Sequence, residues 1–117
     1  MCGIAGFVEY GAARTADAER RALTDAMGRT LGHRGPDDAT GLHWEGVSIA
    51  FRRLSINGID AGAQPFHSRD GRISAFVNGE LYNHAELRRE LPEASELTTG
   101  SDCEVLPDLV ARHGTGE

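Results

Sequence analysis

Met1-Cys2-Gly3-Ile4-Ala5-Gly6-Phe7 opens the chain with a cysteine one residue from its start, inside a short apolar run punctuated by glycine. The run continues to Tyr10 and reads as a strand buried in a sheet, its glycines allowing other backbones to approach closely. Loss of Met1 would leave Cys2 carrying a thiol and a free α-amine on one residue. That amine, with an ordinary pKa of roughly 7.7 to 8.0, titrates near working pH and can serve the sulfur as its own general base. While Met1 stays in place the same nitrogen is an amide with no basic lone pair. Cys2 also fits a plainer role, as a small buried hydrophobe at the start of a strand.

At 117 residues the chain fits one domain with one core. A net charge of -6 and a pI near 5.3 argue against nucleic-acid phosphate or an anionic membrane surface as the main partner. All 12 basic residues are arginine. Two cysteines make no disulfide framework and no C-x-x-C pair, which suits a reducing, cytoplasmic setting. No basic leader and no apolar run of membrane length is present in the sequence, so the expectation is a protein that is neither exported nor embedded in a membrane.

Further along, Asp17 to Leu31 places Ala18, Ala22 and Ala26 with Leu23, Met27 and Leu31 at three- and four-residue spacings, with acids early and Arg29 late. This predicts an amphipathic helix. Gly32 to Gly41, centred on His33-Arg34-Gly35-Pro36-Asp37-Asp38, reads as a loop. Leu42 to Glu45 and Val47 to Arg53 read as a hairpin turning at Glu45-Gly46. Ser55 to Gln64 is irregular, and Arg72 to Asn78 predicts another strand ending at Gly79-Glu80. Asn83-His84-Ala85-Glu86 and Ser101-Asp102-Cys103-Glu104 each have the form of a capping box, opening helices toward Leu91 and His113. In the second, Pro107 would fall in the interior at a cost of roughly 3 kcal/mol, so that helix must either kink or begin later.

A Cys2 nucleophile attacking an amide needs donors aimed at the developing oxyanion. Asn78-Gly79 offers a side-chain amide beside an unhindered N–H, although Asn-Gly is also the commonest tight-turn dipeptide. An amino-acid substrate would need a guanidinium for its carboxylate, which Arg53 can supply, and a carboxylate for its ammonium, which Asp102 can supply. Taken singly, Arg53 is equally a solvated strand end and Asp102 a first-turn acid favoured by the helix dipole.

Taken together, Cys2-Gly3-Ile4-Ala5-Gly6-Phe7, His33-Arg34-Gly35-Pro36-Asp37, Arg53-Leu54-Ser55-Ile56, Gln64-Pro65, Asn78-Gly79-Glu80-Leu81-Tyr82-Asn83-His84 and Thr99-Gly100-Ser101-Asp102-Cys103-Glu104-Val105 closely resemble the N-terminal glutaminase domain of glutamine-hydrolysing asparagine synthetases, which are class II glutamine amidotransferases. The resemblance runs from residue 2 to about residue 106. Sister enzymes making glucosamine phosphate or phosphoribosylamine share the leading Cys, the Asn-Gly turn and the late acid. They differ around Arg53 to Ile56 and Gly79 to His84, which favours the asparagine synthetase branch, a branch that includes amide-forming enzymes of natural-product pathways.

The resemblance implies an α+β fold, the N-terminal nucleophile (αββα) sandwich of antiparallel sheets between helices, here incomplete at its C-terminal side. It implies hydrolysis of glutamine to glutamate and ammonia through a γ-glutamyl thioester on Cys2, with Asn78 and Gly79 as the oxyanion hole. Arg53 would hold the glutamine α-carboxylate, Asp102 with Glu80 nearby its α-ammonium, and Leu54 and Ile56 would line the pocket. The His33 to Asp37 loop would shape that pocket. Residues 1–117 would form the front part of a glutaminase domain with no synthetase domain. ATP and Mg would be needed only by that missing domain, and the glutaminase part would need no metal or organic cofactor. The expected partners are glutamine and a synthetase domain or partner chain, or a second copy in a homo-oligomer, because incomplete sheets leave unpaired edges and exposed apolar faces.

Two other readings differ in kind. One is a non-catalytic, truncated module that binds a partner or glutamine without turnover, which a retained Met1 would favour. The other is a metal site drawn from Cys2, Cys103, His33, His43, His67, His84 and His113, none of which shows tight ligand spacing. His84 is expected to follow a helix cap and Trp44 to pack on a sheet. The acids Glu86, Glu90, Glu93 and Glu96 read as a solvated face.

Overall fold

The apolar opening run pairs as a strand. In the computed structural model, which describes residues 2–12, 14–54, 62–91 and 97–115, Gly3–Val8 forms β1. Asp17–Thr30 forms α1, and Asp38–Trp44 and Val47–Arg53 form β2 and β3. The chain divides into two compact units, Met1–Ile56 and Asn57–Glu117.

In the first unit the sheet order is β1-β3-β2, antiparallel throughout, with Gly3 opposite Arg52 and Asp38 opposite Arg53. The hairpin turns at Glu45-Gly46 as predicted, and Gly46 takes φ 74°, the left-handed region that suits glycine. β2 begins at Asp38, so the expected loop to Gly41 is shorter than its composition suggests. The ladder opposite β3 captures Asp38 to Gly41 once the turn has set the register.

Register assigns the two faces. Gly3, Ala5 and Phe7 share one with Ser48, Ala50, Arg52, Ala39 and Gly41, a surface of mostly small side chains. α1 lies against it closely enough that a Cβ at Gly28 would stand 2.9 Å from Ala50 Cβ. Arg52 Nε donates to the Gly28 carbonyl at 2.9 Å. This close approach overturns the predicted helix face. Arg20, Thr24 and Gly28 are the buried row of α1, while Ala18, Ala22, Leu23, Ala26 and Met27 are exposed. Burying that row is tolerable because most of its polar groups are paired, Arg20 Nε being a buried atom with no hydrogen-bond partner among the described residues. Arg20, only 4% exposed, pairs with Asp17 at 2.7 Å and Glu9 at 3.4 Å, and Thr24 Oγ1 donates to the Arg20 carbonyl at 2.9 Å.

The opposite face carries Ile4, Val8, Leu42, Trp44, Val47, Ile49 and Phe51. Phe51 is buried, whereas Ile4, Val8 and Trp44 are 44%, 49% and 46% exposed. Trp44 is therefore on the sheet but not covered by it.

The second unit is less regular. Phe66–His67 (β4) pairs with Ser74–Ala75 (β5), joined by a turn in which Gly71 has φ 69° and donates its N–H to the Ser68 carbonyl. The strand expected over Arg72 to Asn78 thus shrinks to two residues. From Val77 onward a side chain replaces the ladder: Gln64 Oε1 accepts from the Val77 N–H at 2.7 Å and Gln64 Nε2 donates to the Val77 carbonyl at 3.1 Å.

His84–Glu90 forms α2, its first residue His84 as expected. Asn83 makes no side-chain cap bond, so the predicted capping box is not formed. Around Ser101 half of a box forms: its side chain accepts from the Cys103 N–H, but Glu104 turns inward instead of returning to Ser101. The conflict at Pro107 resolves by a later start. Asp102–Val105 is a 3₁₀ turn and α3 runs Leu106–His113 with Pro107 in its first turn, where a missing N–H costs nothing. Glu86 and Glu90 are exposed; Glu93 and Glu96 lie outside the described residues. The result is a mixed helix and antiparallel-sheet, α+β fold. Among the described residues no helix is long and apolar enough to cross a membrane.

Candidate functional site

The expected site residues fall into two clusters, one in each unit. In the first, Cys2 precedes β1, and the pairing of Gly3 with Arg52 puts it at the sheet end where β3 finishes at Arg53 and gives way to Leu54. Cys2 Sγ lies 4.0 Å from the Leu54 carbonyl oxygen, and Cys2, Arg53 and Leu54 are all half-buried. The His33 to Asp37 loop closes on the same strand end. The Asp37 N–H donates to the Arg53 carbonyl at 3.1 Å. Gly35 packs so tightly that a Cβ there would stand 2.5 Å from the Arg52 carbonyl oxygen and 2.6 Å from Arg53 N. Only glycine lets this loop seat against the residue expected to carry the carboxylate fork. Ile56, expected to line the pocket, lies outside the described residues, as does Met1.

In the second unit, Asn78, Gly79 and Glu80 are exposed and follow β5 in a bend. The Asn-Gly pair does not turn the β4–β5 hairpin; Asp70-Gly71 does. A Cβ at Gly79 would meet no described atom within 4 Å, so packing does not demand glycine there. Asp102 stands against this bend and accepts from the Leu81 N–H. Burial pushes its carboxyl upward, but the bonds it accepts, from the Leu81 N–H first and then from the Cys103 thiol and nearby backbone N–H groups, outweigh burial and hold it below the ordinary 3.8. Asp102 is therefore a fixed anion across the neutral range, as an ammonium partner needs to be.

Cys103 follows Asp102 and is 3% exposed. Its thiol points at the Gly79 carbonyl, 3.7 Å away. Burial, then the charge and hydrogen bonding of Asp102 and the charge of Glu80, push this thiol up to about 11, so it stays protonated and is a donor, not a nucleophile. Glu104, also buried, takes the Thr98 N–H at 2.8 Å and the Thr99 N–H at 2.9 Å.

Composition and spacing do not single out Gln64 or Cys103 as supports of the bend, nor Glu104 as the clamp on Thr98 and Thr99. Asp70-Gly71 does carry a readable signal, since an Asp-Gly pair between short β-prone runs marks a hairpin turn. Among the described residues no group of three His, Cys, Asp or Glu side chains could hold a metal ion.

A family model described as a glutamine amidotransferase domain matches residues 1–117. Glutamine-hydrolyzing asparagine synthetase 2 of Bacillus subtilis (strain 168) is 41% identical over 116 residues, covering 99% of this chain and 15% of that protein. Glutamine-hydrolyzing asparagine synthetase 3 of Arabidopsis thaliana is 41% identical over 115 residues, covering 97% of this chain and 19% of its own length. The corresponding synthetase 1 of Lotus japonicus is 42% identical, with 97% and 19% covered. The chain thus spans a fifth or less of these relatives, and its similarity is to their N-terminal part. With a family match over its whole length, the chain belongs to the glutamine amidotransferase domain family.

Proposed function

We propose that this chain is the front part of a glutaminase domain of the asparagine synthetase type, with the N-terminal nucleophile sandwich as its parent fold. It would hydrolyse glutamine to glutamate and ammonia. The observation that carries the reading is Cys2, second in a chain of this family, set beside Leu54 and Arg53 at one end of the β1–β3 pair.

Removal of Met1 exposes the Cys2 α-amine, which takes the thiol proton. The sulfur attacks the side-chain carbonyl carbon of glutamine, and the carbonyl oxygen becomes an oxyanion that accepts from the Asn78 amide and the Gly79 N–H. As the C–N bond breaks, the protonated amine returns its proton to nitrogen, releasing ammonia and leaving a γ-glutamyl thioester. Water, deprotonated by the same amine, then adds to the thioester carbon. The C–S bond breaks, and glutamate leaves as the sulfur regains its proton. Arg53 holds the α-carboxylate as a bidentate fork. Asp102 holds the α-ammonium, with Glu80 adding negative charge nearby, and Leu54 and Ile56 line the pocket.

These steps use no metal or organic cofactor. ATP and Mg belong to a synthetase domain outside these residues, where the ammonia would meet an activated carboxylate. That domain, on the same polypeptide or a partner chain, is the expected recipient.

The test is reaction of the purified protein with an electrophilic glutamine analogue, followed by mass mapping and intact mass. The expected result is one adduct on Cys2, Met1 absent, and no adduct on Cys2→Ala. An adduct on Cys103, or equal glutamate release by Cys2→Ala and wild type, would sink the reading. Retained Met1 with glutamine binding but no turnover would instead mark a non-catalytic module.

A further inference from the structure

An oxyanion donor is useful only if it already points where the charge will appear. Gly79 is poorly suited to hold such a pose unaided, because glycine has the widest backbone freedom and no described atom lies within 4 Å of where its Cβ would be. The second unit counters this with side chains that grip alternate residues of the bend. Gln64 grips Val77 through both its N–H and its carbonyl, at 2.7 and 3.1 Å. The Cys103 thiol reaches the Gly79 carbonyl at 3.7 Å, and Asp102 takes the Leu81 N–H. The bend is therefore anchored before, at and after the Asn78-Gly79 peptide.

We propose that Gln64 and Cys103 are positioning residues for the oxyanion hole, fixing the Val77 to Gly79 backbone so that the Asn78 amide and the Gly79 N–H stay aimed at one oxygen. This role rests on the glutaminase reading above. Asp102 shares the anchoring but also contacts substrate in that reading, and the Cys103 thiol bonds to it as well as reaching the Gly79 carbonyl, so Gln64 is the cleaner probe. The Cys103 thiol holds its proton to about 11 and so remains a donor throughout the working pH range. Cys103→Ser would keep a donor; Cys103→Ala would remove it. Gln64→Glu would keep an acceptor for the Val77 N–H but set a carboxylate against the Val77 carbonyl.

The experiment measures kcat and KM for glutamine hydrolysis by the full chain, as wild type, Cys103→Ala, Cys103→Ser and Gln64→Glu, with Cys2→Ala as the blank. Cys103→Ala and Gln64→Glu are expected to lower kcat about 10-fold, less than the roughly 100-fold that a 1 Å misplacement can cause, with KM within about twofold. Cys103→Ser is expected to restore most of the lost kcat. A merely structural role would not separate kcat from KM or be rescued by a hydroxyl. Should Cys103→Ala fail to fold, Gln64→Glu carries the comparison alone. Wild-type kcat in Cys103→Ala or Gln64→Glu, or Cys103→Ser as slow as Cys103→Ala, overturns the positioning role while leaving the glutaminase reading intact. Equal turnover by wild type and Cys2→Ala overturns the glutaminase reading, and this role with it.

Discussion

β1, β2 and β3 of the first unit satisfy one another's main-chain groups over continuous registers from Gly3 to Val8 and from Asp38 to Trp44. In the second unit the described ladder is only Phe66–His67 with Ser74–Ala75, and much of the remaining backbone is held by side chains. Gln64 holds Val77, and Ser68 Oγ accepts from the Ile73 N–H at 3.0 Å. Asp108 accepts from the Arg69 N–H at 2.8 Å, Asp102 from Leu81, and Glu104 from Thr98 and Thr99. A ladder tolerates many side chains as long as backbones can meet. A backbone held by side chains depends on each particular one. The two regions should therefore fail to different substitutions.

The largest effect is expected where a side chain obstructs the ladder. A Cβ at Gly6 would collide with the Ser48 carbonyl and stand 2.8 Å from Ile49 Cα. Gly6→Ala should cost about 3 kcal/mol, read as a lowered urea midpoint. An unchanged midpoint would mean that β1 slides past β3 without penalty.

Next comes loss of a clamp. Glu104→Ala strands the Thr98 and Thr99 N–H groups and should cost about 2 kcal/mol in the same assay. A change below about 0.5 kcal/mol, the scale of an ordinary surface substitution, would break the contrast between the units.

A smaller effect follows pH. Cys103 is raised from 9.0 to about 11, so between those values the unfolded chain releases a proton that the folded chain keeps. Stability is full below 9 and falls as pH climbs toward 11, by on the order of 1 kcal/mol. Cys103→Ala should flatten that slope in urea melts at pH 8, 9.5 and 11; an equally steep slope in the variant would assign the loss elsewhere.

The smallest effect is expected on α1. Leu23 is 50% exposed, and Leu23→Gln should shift stability by about 0.5 kcal/mol or less. A loss above about 1.5 kcal/mol, as from a buried apolar side chain, would restore the helix face predicted from spacing.

The same contrast explains what can be read from residues alone. Strand β1, the Glu45-Gly46 hairpin and the span of α1 follow from patterns of apolarity and glycine, which record backbone pairing directly. Spacing misreads the buried face of α1 because the pattern assumes that apolar groups go inward. Here the closeness allowed by Gly28 and Ala50 draws in a polar row instead, with Arg20 neutralised by Asp17 and Glu9. In the second unit β-propensity overestimates the strand over Arg72 to Asn78, because residues there are held by Gln64, a partner no local pattern announces. Nor can spacing say that Cys103 faces Gly79 across more than twenty residues of sequence. The site residues are legible only as separated blocks read together, since Arg53 or Asp102 taken singly has an ordinary explanation.

Burial of Cys103 has a practical corollary. Reagents that modify sulfur require a thiolate they can reach, and this one is 3% exposed and protonated to about 11. Of the chain's two thiols, that leaves Cys2 as the one open to maleimide or iodoacetamide at neutral pH. A fluorophore or spin label can therefore be installed at the front of β1 in the unaltered protein, with no need to engineer away the second cysteine.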